Sequence, residues 1–65
     1  MDHTFIQHAS QNVDRLAYEL GGKHFLVLQF RAAIRNRNTQ DFFRAMTRAG
    51  NYPDGVQEAF VRAFG

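Results

Sequence analysis

The stretch Lys23 to Asn36, KHFLVLQFRAAIRN, is the most apolar in the chain, and its reading decides the fold. At about 100° per residue its apolar side chains, Phe25, Leu26, Val27, Leu28, Phe30, Ala32, Ala33 and Ile34, spread nearly all the way round a helix and leave one polar stripe of His24, Arg31 and Arg35. Such a helix is expected to be buried on most of its girth. A strand over FLVLQF would have good β-propensity. No second segment alternates with period two, however, and a lone strand leaves its backbone groups unpaired. The stretch therefore reads as a central helix.

On its N-terminal side, Phe5, Ile6, Ala9, Val13, Leu16, Ala17 and Leu20 fall within an arc of roughly 120° on a helical wheel. Thr4 is placed to cap this first helix, with Gln7 completing a capping box, and Gly21-Gly22 ends it. Tyr18 stands alone on the polar face, where an aromatic ring either snorkels along the surface or meets a partner. On the C-terminal side, Asn36-Arg37-Asn38 is a short polar connection and Thr39 reads as the next N-cap, with Asp41 in the dipole-favoured first turn. The third helix, Gln40 to Ala49, buries Phe42, Ala45, Met46 and Ala49, leaves Phe43 at the margin, and is stopped by Gly50 in a left-handed C′ position. Asn51-Tyr52-Pro53-Asp54-Gly55 is a strong turn signal, with Asp54 a candidate cap for a last helix from Val56 to Phe64. There Glu58 precedes Arg62 by four residues, the favourable order for an ion pair. The expected fold is all-α, a small single-domain bundle over residues 1–65 with about four short helices around the central one.

A chain of 65 residues buries only about 60% of the surface that its unfolded form exposes. It contains no Cys, so no disulfide or thiolate metal site staples it. Nine aromatic residues, seven of them Phe, are a generous supply for so small a core, which leads to the expectation of self-association. No apolar run approaches the roughly 20 residues of a bilayer span, and MDHTFIQHAS lacks a signal-peptide pattern, so a cytoplasmic protein with no membrane partner is expected.

Charge is unevenly placed. Residues 1–30 carry Asp2, Asp14 and Glu19 against Arg15 and Lys23; residues 31–48 carry five Arg against Asp41; the remainder carries Asp54 and Glu58 against Arg62. The net charge of +2 therefore hides +4 in the middle of the chain. Arg31 and Arg35 are one helical turn apart, as are Arg44 and Arg48, with Arg37 between the pairs. Like charges at that spacing disfavour a helix slightly, and Arg rather than Lys suits forked recognition of carboxylates and phosphates. The bland alternative is a solvated basic face partly neutralised by Asp41.

Nothing points to catalysis. His3 and His8 are five residues apart and do not stack on one helix face, His24 has no carboxylate near it in sequence, and there is no phosphate loop or nucleophile geometry. No enzyme activity, metal or cofactor is expected. The reading is a non-enzymatic regulatory or inhibitory protein that binds another protein through Arg31, Arg35, Arg37, Arg44, Arg48 and Tyr18, the aromatic-plus-Arg composition that concentrates binding energy. Nucleic acid is the second class of partner. Residues 30–49 loosely resemble a helix-turn-helix with Gln40, Arg44 and Arg48 facing a groove, although the connection has no Gly and the first helix is long and apolar.

Overall fold

The first helix starts at Asp2. In the computed structural model, which describes residues 1–65, the Asp2 carboxylate accepts a 2.7 Å hydrogen bond from the Phe5 amide and α1 runs His3–Leu20. Thr4 lies inside this helix, so the expected Thr4 cap is corrected by two residues: a carboxylate upstream satisfies an orphan amide and also suits the positive end of the helix dipole. Gly21, at φ 97°, turns the chain out of α1, a conformation that glycine adopts without a Cβ penalty. The central apolar segment then forms α2, Phe25–Arg35, with His24 as its cap, and α3 spans Thr39–Gly50 behind an Asn38 cap whose Oδ1 accepts from the Asp41 amide. Thr39 is thus the first helical residue and not the cap.

Two further local expectations are corrected. Gly50 is the last residue of α3 and has no positive φ; the helix closes when the Asn51 and Tyr52 amides bond to the Arg48 and Ala49 carbonyls. Asp54 is itself left-handed, at φ 60°, and does not cap α4, Val56–Phe64, whose N-cap is Gly55 at φ 85° with no side-chain bond. The left-handed positions demanded by the turn fall one after the other on Asp54 and Gly55.

The molecule is an all-α bundle of four helices. In the bundle α2 packs on α1 and α3, and α4 packs on the same two, so α2 and α4 lie diagonally. They meet through aromatic side chains. The Phe30 ring, fully buried, lies 5.2 Å from Phe42 edge-on, 6.3 Å from Phe60 stacked and 5.1 Å from Phe64, while Phe5 reaches Phe42 from α1 at 5.2 Å. The centre of the fold is therefore a ring cluster rather than a helix. Thirteen residues are buried and all are apolar, nine of them Ala or Val. Small residues let short helices approach closely enough for the Phe rings to fill the middle.

Burial of α2 on most of its girth does not occur. Leu26, Val27, Phe30 and Ala33 are buried, but Phe25 and Leu28 are 56% and 53% exposed. With only two flanking helices, the third side of α2 is left to solvent.

Truncating Phe30 or Phe42 to Ala should cost about 3–5 kcal/mol, comparable to the whole stability expected of a chain this size. Phe43→Ala, at a half-exposed position, should cost less than about 1 kcal/mol. Urea denaturation of the three variants checks the order. Equal losses at Phe30 and Phe43 would contradict the ring cluster.

Candidate interaction surface

The hairpin of α2 and α3 carries most of the positive charge. Residues 23–52 hold Lys23 and five Arg against Asp41, a net +5, whereas α1, α4 and their flanks hold five carboxylates against Arg15 and Arg62, a net −3. The bundle is thus divided into a basic half and an acidic half. The five Arg expected to act together are divided as well.

Arg31 and Arg35 face α1. Arg31 Nη2 bonds Asp14 Oδ1 at 3.1 Å, and the two Arg flank a depression of about 190 Å³ that includes Ser10 and Ile34. Arg44 and Arg48 lie on α3. They line a broader, open depression of about 630 Å³ with Gln40, Phe43, Thr47 and Asn51, closed at one end by Tyr52-Pro53. Arg44 Nη1 is held by Asp41 Oδ1 at 2.9 Å. The Arg48 guanidinium has no carboxylate partner and sits over the Phe25 ring, 4.9 Å from its centroid. A guanidinium lying over a ring is attracted by the ring's quadrupole, and the contact limits the rotamers that the long side chain would lose on binding.

Arg37 occupies the tip between the two pairs at φ 50°, with Nη1 donating to the Arg35 carbonyl at 3.3 Å. Gly or Asn ordinarily fills such a left-handed position, and a longer L-residue there costs roughly 1–2 kcal/mol. Tyr18 is 94% exposed on α1 and lines neither depression, so the structure does not bring it to the arginines.

Three contributors were missed by sequence reasoning. By sequence Phe25 belongs to the apolar girth expected to be buried, Tyr52 to the turn signal and His24 to the polar stripe of the central helix. His24 Nδ1 instead accepts the Leu26 amide at 3.1 Å, and its ring meets Tyr52 edge-on at 5.6 Å. One signal was available. In an antiparallel helical hairpin, residues equidistant from the turn meet, and Phe25 and Arg48 lie twelve before and eleven after Arg37.

On the acidic half, Arg62 does not pair with Glu58. Its Nε and Nη2 donate to Glu19 Oε1 at 3.0 and 2.6 Å, tying α4 to the end of α1. The hydrogen bond to Glu19, and then the charge of Glu19, hold the Arg62 pKa above its ordinary value. A raised pKa on a base means stabilisation that is complete below the unfolded value and lost only as pH rises through the folded one, far above physiological pH. The guanidinium therefore keeps its charge across the working range.

No three His, Asp or Glu side chains converge as metal ligands, and no helix is long and apolar enough to cross a membrane. No family model, curated protein or solved structure matches the chain.

Arg44→Ala with Arg48→Ala should leave the fold in place, with a melting temperature within a few degrees of the parent, because both side chains are on the surface. Arg37→Gly should raise stability by about 1 kcal/mol by relieving the left-handed Arg. Thermal melts of both variants check these outcomes. A less stable Arg37→Gly would mean that the Arg37 side chain holds the hairpin together.

Proposed function

We propose that this protein is a small, non-enzymatic, cytoplasmic regulator or inhibitor that acts by occupying the surface of a partner protein, with the basic half as its contact face. The observation that carries the reading is Arg48 held over half-exposed Phe25, next to Arg44 and half-exposed Phe43. Arg and aromatic side chains that are ordered before binding lose little entropy on contact, and they dominate the energetics of protein interfaces. Arg31, Arg35 and Arg37 extend the basic surface around the hairpin. Tyr18, on the other half, belongs to a separate contact or to none.

The nucleic-acid alternative draws on the outward placement of Gln40, Arg44 and Arg48 on α3, all exposed. Geometry weighs against it. In a helix-turn-helix the two helices cross at roughly 90–120°, which would leave ends lying 10–12 residues from the turn more than about 20 Å apart. The contact between Arg48 and Phe25, at those ends, requires a far more nearly antiparallel pair. Self-association, favoured by the exposed Phe25, Leu28 and Val61, is a second use of the apolar surface; sedimentation at micromolar concentration reads it.

Affinity capture from native lysate, with and without nuclease, tests the main reading. Protein capture should survive nuclease and be lost in the Arg44→Ala/Arg48→Ala variant. Capture that disappears with nuclease, together with duplex affinity that falls with salt at a log–log slope of about −0.9 per phosphate contact, would favour nucleic acid.

A further inference from the structure

We infer that the outer face of α3 is the docking site for an acidic, amphipathic helix of the partner, with carboxylates one helical turn apart; this rests on the protein-binding reading above. The shape of the face comes first. Gln40, Arg44, Thr47 and Asn51 recur at spacings of three and four residues and so form a straight stripe of roughly 16 Å along one helix, bounded by Phe43 and Tyr52. An open stripe accommodates a rod. It does not enclose a small molecule, which needs a concave pocket covering most of its surface.

Charge decides which rod. Arg44 and Arg48 project one turn apart, with Cβ atoms about 5–6 Å from each other, which is also the spacing of Glu or Asp side chains at i, i+4 on a facing helix. Both guanidiniums are held before any ligand arrives, one by Asp41 and the other by the Phe25 ring. Half-exposed Phe43 offers an apolar margin for the uncharged side of the incoming helix. A second copy meeting this face through its own α3 would set Arg against Arg, so the symmetric self-pairing is repelled. A duplex would bring its phosphates toward Asp41 as well as the arginines, and toward a molecule whose other half is net negative. A partner helix can place its few carboxylates on the arginines alone.

The test uses the intact protein, labelled with ¹⁵N, and three probes: a 16-residue helical peptide with Glu at i, i+4 beside Leu and Ala; the same peptide with Gln for Glu; and a 16-base-pair DNA duplex. The Glu helix should give saturable shift changes confined to residues 40–53 and to Phe25 beneath Arg48. The Gln helix should bind roughly tenfold more weakly or not at all. Arg44→Glu/Arg48→Glu should abolish binding of the Glu helix and acquire binding of a Lys version of it, a reversal that a merely structural role could not produce. Equal binding of the Glu and Gln helices, changes on another face, or no change at millimolar peptide overturns the inference. If protein capture from lysate nevertheless persists, the protein-binding reading stands and only the acidic helix falls. If the duplex binds more tightly than the Glu helix at physiological salt, both fall together.

Discussion

The fold depends on the meeting of four Phe rings at its centre. Phe30 is the point where α2, α3 and α4 come together, and without it the diagonal pair α2 and α4 would have no shared contact among the rings. A 65-residue chain without cysteine has few ways to reach stability, and large rings set among Ala and Val allow short helices to bury a continuous core. Around this cluster the polar ties are few and exposed. Arg31 to Asp14 and Arg62 to Glu19 join helices, but exposed pairs of this kind orient elements more than they stabilise them.

The same economy creates the interaction surface. Four short helices in a ring give each helix two neighbours, and α2 has apolar residues on more sides than two neighbours can cover. Phe25 and Leu28 are the remainder. Arg48 covers part of it by stacking on Phe25, which shields the ring and steadies a cation at once. The surplus of apolar residues is thus spent at the edge of the basic half, where aromatic surface and guanidinium adjoin.

Cap chemistry shows how side chains near a helix start compete. Asp2, His24 and Asn38 each take the capping bond, while Thr4 and Thr39 lie within the helices. In two of these three cases an acceptor lay one or two residues ahead of the Thr, and the helix extended to meet it. The His24 cap uses an imidazole nitrogen that accepts only when unprotonated, and Tyr52 packs against the same ring, so the start of α2 and the end of α3 are tied at one place.

By itself the sequence determined the helical class, the approximate spans, the breaks at Gly21-Gly22, Asn36 to Asn38 and the turn before Gly55, and the burial of Phe30 and Phe42. Each follows from local periodicity or backbone preference, which neighbours in the chain express without help. Tertiary structure alone decided which side of α2 would be exposed, that Arg62 would choose Glu19 over Glu58, and that five arginines close in sequence would separate into a pair facing α1, a pair on α3 and one at the hairpin tip. Those outcomes depend on how many neighbours each helix acquires and from which direction. A helical wheel contains angles within one helix and says nothing about the angles between helices.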